Sequence, residues 1–199
     1  MNQKLSDTKD SIEDSVEKVT LNSKSLARIG CIQALYIHET VGEFTAEHLI
    51  DQIRTYYRSS KRIKEDFEMD QKLYLKAIID DDLLSSLVSY SMWSIILIDD
   101  LISKHLFEPW AVEKLHPLLR SIIRAAVCEL KFFPATSYKI VINDFVNIAT
   151  EMLSNEGEIN FVNAILDKIY RHLSEQSCAK PIDSAQTNVE PIDSEEPHA

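Results

Sequence analysis

Three glycines in 199 residues, Gly30, Gly42 and Gly157, restrict this chain more than any other feature of its sequence. Tight hairpins and phosphate-cradling loops depend on residues that tolerate positive φ, so a chain this poor in glycine is built from helices. The same scarcity excludes a Walker loop and a dinucleotide fingerprint, each of which needs two or three glycines within a few positions. With 45% hydrophobic residues the length suffices for one substantial core, and one compact domain with loose ends is the expected organisation.

Apolar residues recur at three- and four-residue intervals, which is the helical period. A first helix is predicted from Ser25 to Glu39, with Leu26, Ile29, Ile32, Leu35 and Tyr36 on one stripe and Gly42 beyond its end. A second follows Thr45, a candidate N-cap, and runs to about Arg58. Ser59 to Asp70 reads as a charged connector. A long helical region then spans Gln71 to about Leu106, with a break expected near Asp80, Asp81 and Asp82. Pro117 suits the first position of a helix reaching Phe132, because its missing N–H would be unpaired there anyway. Ser137 or a neighbour caps a helix from Tyr138 to Leu153, Gly157 marks a turn, and a last helix runs from Glu158 to Leu173. The expected fold is all-α, about seven helices in an orthogonal bundle.

The ends differ from the body. Residues 1–22 read as a flexible leader with weak apolar spacing at Ile12, Val16 and Val19, and 174–199 as a disordered acidic tail. The tail carries Pro-Ile-Asp-Ser twice, at 181–184 and 191–194, either a docking motif or a slipped low-complexity repeat. These ends hold most of the formal charge of -11, since residues 1–22 carry three lysines against five acids and 174–199 one against six. The body, 23–173, has room for a local basic patch but not for a strongly basic face.

Cys31, Cys128 and Cys178 are odd in number and far apart, which reads as reduced thiols and a cytoplasmic setting. No apolar leader of secretory type is present near the start. The longest uncharged run, Leu83 to Ile98, is shorter than the roughly 20 residues a membrane span needs, and reads as a buried core helix. Six scattered histidines and the cysteines show no metal-ligand spacing, and no nucleophile elbow occurs. The aspartates at 80–82 and 99–100 could hold a divalent cation, but solvated helix faces explain them more simply. Nothing points to an enzyme, a metal or a cofactor.

Two stretches resemble the NusB transcription-antitermination family. One is Ala27-Arg28-Ile29-Gly30-Cys31-Ile32-Gln33-Ala34-Leu35-Tyr36. The other begins at Glu129-Leu130, continues through Tyr138-Lys139-Ile140-Val141-Ile142-Asn143-Asp144, and closes with Phe161-Val162-Asn163-Ala164-Ile165-Leu166-Asp167-Lys168-Ile169. The resemblance implies two packed three-helix subdomains over residues 23–173. It also implies a factor that binds boxA RNA of ribosomal RNA leaders together with the ribosomal protein NusE, joins the RNA polymerase antitermination complex, and is a monomer or homodimer when free. By the same resemblance RNA contacts fall to Lys24, Arg28, Gln33, Asn160, Phe161 and Asn163, and partner contacts to Tyr36 and Arg124.

The residues themselves leave alternatives open. Lys24 and Arg28 sit in a first helical turn, where cations oppose the macrodipole; either a phosphate partner or plain surface solvation explains them. Tyr36 is a partner contact or an amphipathic core tyrosine, Phe161 a base-stacking ring or core, and Asn143 and Asn163 bond a ligand or a helix end. The run of arginines that the family shows before Ala-Arg reads here Asn22-Ser23-Lys24-Ser25-Leu26, and a second phosphate-facing lysine before Phe-Val-Asn is absent. Each lost phosphate contact lowers affinity, so RNA binding by this protein alone is expected to be weak. The competing expectation is an interaction module that keeps the fold and has lost RNA.

Overall fold

The structure, a computed structural model, describes residues 22–42, 44–66 and 79–178. Among these are seven α-helices and no strand: α1 (Ser23–Thr40), α2 (Ala46–Asp66), α3 (Asp81–Trp93), α4 (Ile95–Ser103), α5 (Pro117–Phe132), α6 (Tyr138–Met152) and α7 (Glu156–Cys178), with a 3-10 turn at Val112–Lys114. The leader up to residue 21, the stretch 67–78 and the repeated tetrapeptides of the tail lie outside the described residues.

Local chemistry sets the helix starts. Asn22, which the sequence assigns to the leader, is the N-cap of α1, its side chain accepting from the Lys24 amide at 3.2 Å. Thr45 Oγ1 accepts from the His48 amide at 3.3 Å, the cap that its position predicts. Asp80 caps α3 through the Leu83 amide at 3.0 Å, and its own N–H donates to Ser23 O at 3.1 Å, so the starts of α1 and α3 are tied together. Pro117 opens α5. Gly42, with φ of +147°, follows the end of α1 in a conformation other residues rarely adopt.

Three boundaries differ from the sequence reading. The connector expected from Ser59 is helical through Asp66, because a run of Lys, Arg and Glu without Gly or Pro favours helix by its own propensity. The last helix likewise runs five residues past Leu173 to Cys178, with the Ser174 hydroxyl donating to Tyr170 O at 2.9 Å; Pro181 is the first residue that would interrupt it. The uncharged run from Leu83 to Ile98 is not one helix. It bends by 73° between α3 and α4, at Ser94 with φ -107° and ψ 17°. The bend serves two neighbours: Leu84, Leu87 and Val88 of α3 are buried where it packs on α1, α2 and α5, while Ile98, Leu101 and Ile102 of α4 are buried where it packs on α5 and α7. No single helix among the described residues is long and apolar enough to cross a membrane.

Two groups of helices result. α1, α2 and α3 pack on one another, α5, α6 and α7 do the same, and α1 and α3 both lean on α5. Gly30 permits the close approach within the first group, since a Cβ there would stand 2.9 Å from Leu84 Cδ1 and 3.0 Å from Ile53 Cγ2. One apolar core runs through both groups, from Ala27, Ile32 and Leu35 to Ile122, Phe145, Leu166 and Ile169. Each such fully buried large side chain contributes roughly 1.5–3 kcal/mol.

Candidate nucleic-acid and partner interface

Arg28 projects from α1 into the junction between the two groups rather than into solvent. Its Nε donates to Glu129 Oε2 at 2.8 Å, Nη2 pairs with Glu129 Oε1, and Nη1 donates to Asp144 Oδ2 at 2.8 Å. Ser25 Oγ completes the cluster on Asp144 Oδ1 at 2.9 Å. Arg28 is 2% exposed and Glu129 0%. Despite the desolvation that opposes its charge, the two carboxylates hold the guanidinium pKa above its ordinary value. The expectation that Arg28 meets RNA is therefore corrected: all three guanidinium nitrogens are spent on tying α1 to α5 and α6. The sequence held a signal, because Arg28 shares the helical spacing of buried Cys31, Ile32 and Leu35, but its partners lie more than 100 residues away.

Lys24, one turn earlier, is exposed. It borders a cleft of about 350 Å3 that also receives Asp80, Asp82, Phe133 and Thr136. The two aspartates belong to the start of α3, so the cation of α1 stands beside carboxylates that repel a phosphate. Gln33 is half-buried and turned to α2, where the Tyr57 hydroxyl donates to its Oε1 at 3.5 Å. Asn160 and Asn163 are exposed near the start of α7, while Phe161 between them is half-buried and packed on the core. The acids of that first turn, Glu156 and Glu158, suit the helix dipole and oppose an anionic ligand. α6 packs against both α1 and α7, and thus lies between the two sets of residues assigned to RNA.

At the other end of α1, Tyr36 is 37% exposed. One turn on, Glu39 pairs with Arg120 and accepts from Arg124 Nη1 at 2.7 Å. Arg124 also forks onto Asp99 of α4, with Nε to Oδ1 at 2.8 Å and Nη2 to Oδ2 at 2.7 Å. The structure thus brings Tyr36 and Arg124 into one neighbourhood through Glu39, a residue the sequence reading had not singled out. Arg124 is spent on holding α1, α4 and α5 in register, and Tyr36 is the member that faces solvent.

Among the described residues no three His, Cys, Asp or Glu side chains gather to hold a metal ion. His105 and His172, far apart in sequence, do meet edge to face with ring centroids 4.9 Å apart. Cys31 and Cys128 are free and buried, and burial pushes both thiol pKa values up, that of Cys128 to about 12.

Residues 25–171 match the NusB family profile. The chain belongs to the NusB family. It is 35% identical over 149 residues to the transcription antitermination protein NusB of Rickettsia bellii strain OSU 85-389, an alignment covering 75% of this chain and 90% of that one. It is 34% identical to the protein of the same name from Rickettsia rickettsii strain Sheila Smith, covering 75% and 92%. The fold is likewise that of solved NusB structures. T. maritima NusB superposes with a TM-score of 0.59 at 24% identity, over 77% of this chain and 94% of that one. A chain from a crystal structure of the antitermination factors NusB and NusE with double-stranded RNA gives 0.56 at 23% identity, over 75% and 97%.

Proposed function

We propose that this NusB-family protein is a transcription antitermination factor that binds boxA-type RNA together with NusE and joins the RNA polymerase antitermination complex. The observation that carries this is the similarity to relatives bearing that name along 90% of their length. It acts by binding and catalyses no reaction, and its place is the cytoplasm. Free, it is a monomer or a homodimer.

Within this role NusE supplies much of the RNA affinity. Of the two cations assigned to RNA, Arg28 is internal and Lys24 shares its cleft with Asp80 and Asp82. Little phosphate neutralisation is then left to the chain alone. The same observation favours a second reading, an interaction module that has lost RNA. Co-purification with recombinant NusE, with and without boxA RNA, separates them. Retention of RNA in a ternary complex supports the first reading, and NusE bound without RNA supports the second. Tight, strongly salt-dependent boxA binding without NusE would overturn the dependence on the partner.

A further inference from the structure

Where α5 ends and α6 begins, the last turns of α7 leave a groove of about 650 Å3. Tyr138 and Tyr170, stacked with ring centroids 3.7 Å apart and 10° from parallel, line it, and Leu173, Ser174 and Gln176 form a wall. That wall lies past residue 171, where the match to the family ends, so the groove depends on an extension of α7 that the family profile does not cover. Its charge is unusual for a protein of net -11. Among the described residues lining it, Lys131 is the one that is charged and none is a carboxylate, and Lys139 lies over the Tyr138 ring at 6.0 Å from its centroid. The positive end of the α6 dipole is at the same edge. Aromatic faces beside cations suit a short ligand that is apolar and acidic at once.

Such a ligand is attached to the protein. Beyond Cys178 the sequence continues for 21 residues with one lysine against five acids, and Pro-Ile-Asp-Ser occurs in it twice. Each copy sets a compact apolar pair, which fits the tyrosine rings, directly before a carboxylate that complements Lys131 and Lys139. Reach separates the copies. Two residues lie between Cys178 and Pro181, about 10 Å of extended chain, too little to turn back along α7 to Tyr170, roughly 12 Å up the helix. Twelve residues precede Pro191, up to about 40 Å. A tether of that length gives an effective concentration near the millimolar range, so a contact weak in trans is occupied in cis. We propose that the groove between the Tyr138–Tyr170 pair and the end of α7 is the docking site of the chain's own acidic C-terminal segment, occupied by Pro191-Ile192-Asp193-Ser194.

The test compares amide spectra of the full chain with those of a full-length Ile192→Ser/Asp193→Lys variant. Resonance shifts confined to Leu130–Lys139 and Tyr170–Gln176, with core residues such as Phe145 unmoved, are expected. Ile182→Ser is expected to leave the groove signals in place. A synthetic peptide spanning residues 187–197, added to the double variant, should return them towards the parent positions, less so as salt rises. Coincident groove signals in parent and double variant would overturn the proposal. So would groove shifts that fade on dilution, which would put the tail of a second copy there, or loss of the signals in Ile182→Ser instead.

Discussion

Arg28 and Glu129, 101 residues apart in sequence, meet as a two-pronged ion pair sealed between α1 and α5, with neither side chain more than 3% exposed. The pair converts a position that invites an RNA reading into part of the frame. Removing one partner of a buried pair leaves the other charge without compensation, which costs about 3–5 kcal/mol. Arg28→Ala is therefore expected to lower the free energy of unfolding by that amount in a denaturant titration. Arg28→Met/Glu129→Leu should recover much of it, because the two sealed charges leave together and the remaining acid, Asp144, keeps the Ser25 hydroxyl and is 21% exposed. An Arg28→Ala protein that keeps its stability and loses RNA binding would return this residue to the interface.

Lys24 gives the opposite expectation. It is exposed and stands at the edge of a cleft rather than in the core. Lys24→Gln should leave the unfolding midpoint unchanged while reducing the slope of log affinity for single-stranded RNA against log salt by about 0.7, the share of one phosphate contact. Binding isotherms of the NusE complex at several salt concentrations check this. An unchanged slope would remove Lys24 from the RNA surface.

Helix positions were largely legible in the sequence, because apolar spacing, Thr45 and Pro117 act locally. What local pattern could not carry was the bend at Ser94. The run 83–98 is uniformly uncharged, and only the two different neighbours of α3 and α4 require it to turn. Composition also misplaced two helix ends, at Arg58 and Leu173, since a loss of apolar residues does not by itself end a helix. The site was less legible than the fold. Whether Arg28 faces water or Glu129 depends on how α5 and α6 pack, and Glu39 becomes informative only once Arg120 and Arg124 stand beside it.

The buried thiols predict a pH dependence. Cys31 and Cys128 hold their protons to higher pH when folded than when unfolded, because burial penalises the thiolate. Their contribution to stability is complete below the unfolded pKa of about 8.5 and is lost as pH rises towards the folded value. Each thiol is expected to remove about 1.4 kcal/mol per pH unit above about pH 9. Unfolding titrations between pH 8 and 10 measure this, and a Cys31→Ala/Cys128→Ala protein should show a flatter profile.

Tyr36 lies one helical turn before Glu39, the residue that holds Arg124, and substitution should separate their roles. Tyr36 is the exposed member, and truncating an aromatic anchor at an interface typically costs more than 1 kcal/mol of binding. Tyr36→Ala is expected to weaken NusE binding by about fivefold or more at an unchanged melting temperature. Arg124→Ala leaves Glu39 with Arg120 alone and Asp99 without its fork. Charge-assisted hydrogen bonds of this kind contribute about 1.5–3 kcal/mol each when buried and less where water reaches them, as it does at Asp99. That variant should therefore melt earlier, and any loss of NusE binding should follow the loss of fold. Calorimetric titration with NusE beside thermal unfolding separates the cases. Were Arg124→Ala to lose NusE with its melting temperature intact, the arginine itself would belong to the contact.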